Sequence, residues 1–430
     1  MIPIVDYAER KAQLGAVLSR RAVFDPEVEA AAQAIVAGVQ ARGDAAVLDY
    51  TERFDGVRPE PLKVPPNALA GAFDAMDPDL RRIVAEAAGN IRRFHEKQQQ
   101  QSWFMDDGDG VLLGQRVLPL ERVGLYVPGG TAFYPSSLLM NAIPAQVAGV
   151  EAIHLVSPPG RDGRPHALVL ATAHFLGLEH VYAVGGAQAV AALAFGTASI
   201  PKVDKIVGPG NAYVAAAKKL VYGPVDIDSM AGPSEIVVLA DETADAEFVA
   251  ADLLSQAEHD ERASAILVTP HRALAEAVRD HINQMVPTLE RRAILEQSLR
   301  AYGACLVTET MAQAVAMVND LAPEHLELIV HDPWQTMTAI RHAGAIFLGP
   351  YSSEPVGDYF AGPNHVLPTG GTARYASALS VDDFIRKQSI IAYTRDRLRA
   401  TGPAIVAFAE SESLTAHARA IRVRLDREEG

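Results

Sequence analysis

Apolar and polar residues alternate with two different periods along the chain, and each period predicts a kind of element. In the first hundred residues, apolar positions recur at helical spacing, as in PEVEAAAQAIVAGVQARGDAAVLDYTERF and PDLRRIVAEAAGNIRRFHEKQQQQ. The Pro-rich stretch between them, VRPEPLKVPPNALAGAF, reads as a connection. We therefore expect residues 1–120 to form a mostly helical scaffold without chemistry of its own.

From about residue 120, short runs rich in Val and Ile alternate with Ala-rich helical patterns. VGLYVPGG leads to SSLLMNAIPAQVAGV, AIHLVSPP leads to HALVLATAHFLG, and a second set begins at EIVVLAD. Repeated strand, turn and helix is typical of an α/β fold with parallel sheets. We predict two incomplete Rossmann-like domains packed together, over residues 121–232 and 233–380.

The last segment, residues 381–430, has a different pattern. Both DDFIRKQSIIAYTRDRLRAT and AIVAFAESESLTAHARAIRVRLDREE read as helices. A helical tail with few partners of its own often packs on a neighbouring subunit. We expect this tail to pack on a neighbouring subunit.

Glycine-containing turns follow three of the predicted strands and precede helices. They are Pro128-Gly129-Gly130, Gly185-Gly186 and Gly208-Pro209-Gly210-Asn211. Backbone amides at such helix starts can hold phosphate. The G-x-G-x-x-G dinucleotide fingerprint does not occur in the chain. Nucleotide binding and a purely structural role both stay open on spacing alone.

Composition narrows the class of protein. The 430 residues carry a net charge of −15, which argues against a nucleic-acid binder and against an anionic membrane surface. No apolar run approaches the roughly 18 residues of a spanning helix, and the N-terminus lacks a signal-peptide core. The single cysteine, Cys305 in the strand-like ACLVTE, fits a reducing compartment and reads as a buried, inert thiol. We expect a soluble cytoplasmic protein.

The helix pattern AEFVAADLLSQAEHD ends in a cluster of polar residues. Gln256 and His259 are three residues apart, so both can point the same way from a helix. An amide oxygen and an imidazole can both bind a metal. The alternative is that polar residues simply collect at a helix end, where the dipole favours a histidine.

Four further segments carry more polar chemistry than a scaffold needs. They are AGPSE with Ser234, PEHLEL with Glu324 and His325, the loop EPVGDYFAGPNHVLPTGG with Glu354, Asp358 and His365, and ESESLTAH with Glu412 and His417. Each could equally be a turn, a helix cap or a solvated side chain. The loop is the strongest candidate, because long ordered loops in compact domains are usually functional. Ligands of this kind, without thiolates, suit zinc and also manganese or cobalt.

Eight of these blocks together closely resemble the histidinol dehydrogenase family. They are VGLYVPGG, GGAQAVAALAFGT, KIVGPGNAYVAAAK, AGPSE, DLLSQAEHD, PEHLEL, AGPNHVLPTGGTAR and LTAHA, in that order along nearly the whole chain. The resemblance implies oxidation of L-histidinol to L-histidine through a bound aldehyde and a gem-diol, with two NAD⁺ and one zinc per site. It also implies a dimer with an exchanged C-terminal tail.

The resemblance also implies a role for individual residues. The zinc ligands would be Gln256, His259, Asp358 and His417, with His417 reaching the neighbouring subunit's site, while Glu258 points away. Glu324 and His325 would be the acid/base pair. The substrate-binding set would be Ser234, Gln256, His259, His325, Asp358, His365, Glu412 and His417. The dinucleotide-binding residues would be Tyr126, Gln188 and Asn211.

Three other functions stay open at this stage. The first is a relative that oxidises another polar alcohol, such as a sulfopropanediol, with the same metal and NAD residues. The second is a zinc hydrolase in which Glu324 activates water. The third is a binding protein with a structural zinc.

Overall fold

The computed structural model describes residues 2–9, 26–106, 108–129, 135–230 and 232–426. The chain forms two compact units. The larger consists of residues 1–98 and 120–384, and the smaller of residues 99–119 and 385–430. Among the described helices, none is long and apolar enough to cross a membrane.

The described part of the first hundred residues is mostly helical, as predicted, with one strand added. The elements are β1 (Ile4–Asp6), α1 (Pro26–Arg42), α2 (Asp44–Asp55), α3 (Pro66–Ala75) and α4 (Pro78–Glu96). Helix α3 lies in the Pro-rich stretch that we read as a connection, and that reading was wrong there. Pro66 is its first residue, a position where the missing N–H costs no hydrogen bond.

A five-stranded parallel sheet forms the first half of the larger unit. Its spatial order is β6 (His180–Ala183), β5 (Ala152–Ser157), β4 (Arg122–Tyr126), β7 (Lys205–Val207) and β8 (Asp226–Ile227). The helices after its strands are α5 (Pro135–Ala148), α6 (Ala167–Phe175), α7 (Gly186–Phe195) and α8 (Ala212–Val221). Apolar clusters cover both faces, as an all-parallel sheet requires.

A six-stranded parallel sheet forms the second half. Its order is β1, β11 (Ala304–Val307), β10 (Ser264–Thr269), β9 (Glu235–Ala240), β12 (His325–Ile329) and β13 (Ala345–Leu348). Its helices are α9 (Ala246–Ala257), α10 (Arg272–Met285), α11 (Arg292–Tyr302), α12 (Met311–Leu321), α13 (Pro333–Met337) and α14 (Glu354–Val356), with a π-helical turn at Gly357–Ala361. The expected pair of parallel-sheet domains is confirmed.

The smaller unit corrects two expectations. Its antiparallel sheet has the order β14 (Ile385–Tyr393), β3 (Val111–Pro119) and β2 (Trp103–Asp106), followed by α15 (Arg395–Ser411) and α16 (Thr415–Leu425). The predicted helix over 382–401 is therefore a strand in its first half, and residues 103–119 are strands within the segment expected to be helical. Strand β14 pairs with β3 over nine residues, and such long-range pairing overrides local propensity.

The predicted glycine turns lie where strands run into helices. They join β4 to α5, β6 to α7 and β7 to α8, although Gly130 lies outside the described residues. Gly208 has φ +114°, and a Cβ there would collide with the carbonyl oxygen of Tyr126. Only glycine fits this close backbone approach.

Candidate active site

The backbone of Glu235, directly after Ser234, holds the predicted acid/base pair together. Its N–H donates to Oε2 of Glu324 at 2.9 Å, and its carbonyl accepts from Nδ1 of His325 at 3.1 Å. Both contacts follow from the parallel pairing of β9 with β12, which sets His325 beside Ile236. Nδ1 of His325 lies 3.8 Å from Oε2 of Glu324. The sequence analysis did not predict this role of Glu235, because its backbone and not its side chain makes these contacts.

The hydrogen bond to a carbonyl fixes the tautomer of His325. Nδ1 carries the proton, so Nε2 presents its lone pair. Nε2 is buried, lacks a hydrogen-bond partner among the described residues, and lies 3.9 Å from Oδ1 of Asp358. Burial lowers the pKa of His325 to about 3. The ring therefore stays neutral at physiological pH and can accept a proton from a bound substrate.

Glu324 is buried beside the same strand ends. Burial raises the pKa of Glu324 well above its usual range, while the N–H of Glu235 opposes this. A carboxylate with a raised pKa is a stronger base than an exposed one. The position is therefore suited to taking a proton from water.

A candidate metal cluster lies next to His325. One ligand atom each from His259, Glu354 and Asp358 lies within 4.8 Å of the other two. His259 follows the end of α9, whereas Glu354 and Asp358 come from α14 and the π-helical turn after it. Residues 354–358 are expected to be loop from the sequence, and Glu354 has no assigned role there. Its spacing of four residues from Asp358 was the available signal.

Gln256 supplies an independent observation for a ligand at this place. Its side chain is 0% exposed, and neither its amide oxygen nor its amide nitrogen has a hydrogen-bond partner in the described part of the chain. Unpaired buried amides are rare because each costs free energy. The amide nevertheless lies one turn from His259, in a region of carboxylates and imidazoles that would suit a divalent cation.

His365 completes the larger unit's part of the site. Its Nδ1 donates to the carbonyl of Asp358 at 3.0 Å, and its Nε2 lies 3.3 Å from Oγ of Ser137. Burial lowers the pKa of His365 to about 4. Ser137, near the start of α5, thereby links the first sheet's domain to the metal cluster. Sequence reasoning did not identify it.

The remaining two predicted residues belong to the smaller unit. Glu412 follows the end of α15 and His417 lies in α16, and both side chains are exposed. The contacts within the larger unit link Glu324, His325, His259, Asp358 and His365 without them. Gln256 and Ser234 lie near this group along the chain, three residues before His259 and directly before Glu235. Their predicted part in the site remains a prediction.

A separate cavity of about 1160 Å³ opens at the carboxyl ends of the first sheet's strands. Tyr126, Gln188 and Asn211, the three residues expected to bind a dinucleotide, all line it. The hydroxyl of Tyr126 accepts the N–H of Gly186 at 3.0 Å, and Asn211 caps α8. The carboxamide oxygen of Gln188 is buried and has no partner among the described residues, so a ligand in the cavity would satisfy it.

The helices that we expected to be scaffold also line this cavity. Tyr50 and Phe54 of α2 stack with ring centroids 6.0 Å apart, and both line the cavity, as do Pro158 and Pro159. Aromatic and proline side chains offer apolar surface on which a flat ring system can pack. The N-terminal helices therefore contribute to the wall of this cavity, while their predicted role as a scaffold stays a prediction.

The chain matches known proteins along almost its whole length. The family model for histidinol dehydrogenase matches residues 18–425. The histidinol dehydrogenase of Geobacillus kaustophilus is 57% identical over 420 residues, which cover 98% of this chain and 97% of that one. This chain belongs to the histidinol dehydrogenase family. The histidinol dehydrogenase of Chlorobaculum tepidum is 50% identical over 99% of both chains.

The fold agrees with a solved member of the histidinol dehydrogenase family. The crystal structure of histidinol dehydrogenase from Elizabethkingia anophelis matches with a TM-score of 0.93 and 36% identity, over 99% of this chain and 98% of that one. The resemblance inferred from eight sequence blocks is confirmed, and the chain is a dehydrogenase.

Proposed function

We propose that the protein is an L-histidinol dehydrogenase that uses zinc and NAD to oxidise L-histidinol to L-histidine, the last steps of histidine biosynthesis in the cytoplasm. The route runs through bound L-histidinal and its gem-diol. The observation that carries the proposal is the contact of His325 with the metal cluster. Its unpaired Nε2 lies 3.9 Å from Oδ1 of Asp358, so a substrate held by the cluster comes within reach of a base.

The residues present fit a zinc ion. Gln256, His259 and Asp358 would bind it within one subunit, with Glu354 as a nearby further oxygen donor. His417 of a second subunit would complete the set. Zinc supplies a fixed positive charge that orients the amine and imidazole of the substrate.

The residues of the first sheet fit NAD. Tyr126, Gln188 and Asn211 line the cavity that would hold it, and the start of α7 there offers backbone N–H groups. NAD supplies the hydride acceptor for each oxidation.

In the first oxidation, His325 acts as general base. Nε2 takes the proton of the substrate hydroxyl while the carbinol carbon loses its hydride, which leaves the aldehyde. The carbonyl of Glu235 holds the ring through Nδ1, so the imidazolium that forms is stabilised in place. The proton is then passed to solvent, which restores the base.

The second oxidation needs water added to the aldehyde. Glu324 takes a proton from that water as its oxygen bonds to the carbonyl carbon, and the former carbonyl oxygen takes up a proton from solvent, which gives the gem-diol. His325 then takes a diol proton as the second hydride leaves, which yields the carboxylic acid. A thiol route is disfavoured, because burial raises the pKa of Cys305 to about 12 and Cys305 is a core residue of β11.

The remaining contacts suit a cationic substrate with an imidazole. Ser234 directly precedes Glu235, whose backbone bonds to the acid/base pair, and Nδ1 of His365 donates to the carbonyl of Asp358. Glu412 would add a carboxylate from the tail of a second subunit. This requires a homodimer with exchanged tails. Mixing inactive His417→Asn and His325→Asn subunits should then restore activity, and no recovery after demonstrated subunit exchange would reject the exchanged tail.

The experiment that tests the proposal compares substrates on zinc-loaded protein. We expect NADH formation with L-histidinol to exceed that with a panel of other polar alcohols, including a sulfopropanediol, by at least about 100-fold in kcat/KM. A preference for another alcohol would favour the related dehydrogenase. Hydrolysis without NAD would favour the zinc hydrolase.

A further inference from the structure

Three buried carboxyl side chains each lie one structural repeat from a residue of the site. Asp252 is four residues before Gln256 on α9, Glu327 is two residues after His325 on β12, and Glu354 precedes Asp358 by four. The first two spacings put each pair on one face of its element. The three acids are 9%, 1% and 1% exposed. Of the three, Asp252 and Glu327 have no part in the proposed chemistry.

Glu327 makes a direct contact with the segment that carries the metal ligand Asp358. Its Oε1 accepts the N–H of Glu354 at 2.7 Å. Glu354 is the first residue of α14, where N–H groups lack partners within the helix. Ser353, at the capping position, forms no side-chain cap hydrogen bond. Glu327, on strand β12, therefore caps the start of this helix in place of a residue next to it in sequence.

Asp252 in turn contacts Glu327. The two carboxyl groups lie within hydrogen-bonding reach of each other. Oε2 of Glu327 has no N–H or hydroxyl partner among the described residues, so the contact with Asp252 is the one that would satisfy this oxygen.

The segment from 354 to 361 needs an external anchor. It consists of a short helix and a π-helical turn, and it carries the exposed side chains of Val356 and Tyr359. Strand β12, in contrast, is paired on both sides, with β9 and with β13. The bond from Glu327 therefore ties the start of this segment to a strand that is paired on both sides, while Ser255, His365 and Asn90 contact the segment at Glu354, Asp358 and Phe360.

We propose that Glu327, held by Asp252, is a positioning residue that fixes the turn bearing Glu354 and Asp358 in the geometry that binds the metal. The proposal rests on the proposed zinc-dependent function. Outer residues that orient ligands commonly change metal affinity by about 10- to 100-fold when they are lost.

The test compares Glu327→Leu with Glu327→Gln, which is nearly the same size as glutamate. Glutamine keeps an oxygen for the N–H of Glu354 and can donate its amide to Asp252, whereas leucine leaves that N–H unpaired. Zinc affinity is measured by chelator competition, and ligand geometry by the visible spectrum of the cobalt-substituted protein. We expect E327L to bind zinc about 10- to 100-fold more weakly with an altered cobalt spectrum, and E327Q to stay within about threefold of wild type.

The outcomes separate this proposal from the proposed function. If the wild-type protein binds no zinc, the proposed function fails. If wild type binds zinc and a folded E327L binds it equally well, with the same cobalt spectrum, the positioning role is overturned while the function stands. A loss in E327Q as large as in E327L would also overturn it, because the charge rather than the hydrogen bond would then matter.

A second variant keeps the proposal testable should E327L fail to fold. Asp252 is at the margin of the core, so Asp252→Ala is a milder change, and Asp252→Asn keeps a donor for Glu327. We expect a several-fold weaker zinc affinity in D252A and near-normal affinity in D252N. Equal, unchanged zinc affinity in both would overturn the proposal.

Discussion

The candidate sites of the two parallel sheets lie at opposite ends of their strands, at the carboxyl ends in one sheet and at the amino ends in the other. We call these ends the carboxyl edge and the amino edge of a sheet. In the five-stranded sheet, the glycine turns and the large cavity lie at the carboxyl ends of β4, β6 and β7, the usual place for a ligand in such folds. In the six-stranded sheet, Ser234 precedes β9 and His325 begins β12, so the site lies at the amino ends.

Helix α9, which connects β9 to β10, brings candidate metal ligands to the amino ends of the strands in the six-stranded sheet. Helix α9 runs back from the carboxyl end of β9 to the amino end of β10, so its last turn, with Gln256, arrives at the amino edge. The two edges meet where Ser137 approaches His365 at 3.3 Å. The position of the cavity in the five-stranded sheet therefore does not predict the position of the candidate site in the six-stranded sheet.

The largest expected effect comes from the base on the amino edge. His325→Asn removes the free imidazole nitrogen, and we expect kcat to fall by about 10²- to 10⁴-fold while zinc content stays near that of wild type. Steady-state kinetics and metal analysis of the same preparation check this. Loss of zinc in H325N would instead indicate that His325 is a metal ligand, which would contradict its separate role as the general base.

The second effect concerns the metal. His259→Asn should lower zinc affinity by at least about 100-fold, because one of the ligands from the larger unit is lost. His271 provides a matched control, since it follows the carboxyl end of the adjacent β10 and pairs with Glu242 at the surface. We expect His271→Asn to retain its zinc. Equal zinc loss in both variants would contradict the placement of the metal site at the amino ends of the six-stranded sheet.

The third effect concerns NAD binding in the cavity at the carboxyl ends of the five-stranded sheet. Gly208→Ala should raise KM for NAD by about tenfold, because the new Cβ collides with the backbone of Tyr126. Gly223 has nearly the same backbone angle, φ +111°, but no atom lies within 4 Å of the position that a Cβ would occupy there. Gly223→Ala therefore carries similar backbone strain without the collision, and its KM should stay within about twofold. Equal KM values in the two variants would remove Gly208 from the cofactor site.

The smallest effect tests whether histidines at the first sheet's amino edge are only structural. Burial lowers the pKa of His154 to about 4, with His180, Arg122 and Lys63 adding to this, and its ring stacks on that of His180 at 4.7 Å. Because an unfolded histidine titrates near 6.5, this stabilisation is complete above about pH 7 and is lost as the pH falls towards 4.

Urea unfolding of wild type and His154→Phe at pH 7.5 and pH 5 measures this contribution. Phenylalanine keeps the stacking and cannot be protonated, so we expect wild type to lose about 1–3 kcal/mol more than H154F over this interval. The activity of H154F should stay near normal at pH 7.5. Parallel pH dependence of the two proteins would show that His154 does not titrate in this way.

Residue patterns predicted much of the architecture, because β-branched runs, glycine turns and Ala-rich helices are local signals. They failed where a distant partner decides the structure. Strand β14 exists because β3 pairs with it, and β1 because it pairs with β11. In the candidate site, the spacing of Gln256 and His259 suggested a shared ligand, and the family resemblance suggested the other roles, which stay predictions. The backbone of Glu235 and the contact of Glu327 with Glu354 depend on strand register, which no single segment reveals.

The most direct test of the central claim is the number of NADH molecules formed per L-histidinol consumed, with and without zinc removal. We predict two NADH per substrate, loss of the reaction on chelation and recovery when zinc is returned, because both edges act on one bound substrate. One NADH per substrate with free aldehyde in solution would contradict the role of Glu324 in forming the gem-diol. Full activity after complete zinc removal would contradict the role of the metal cluster.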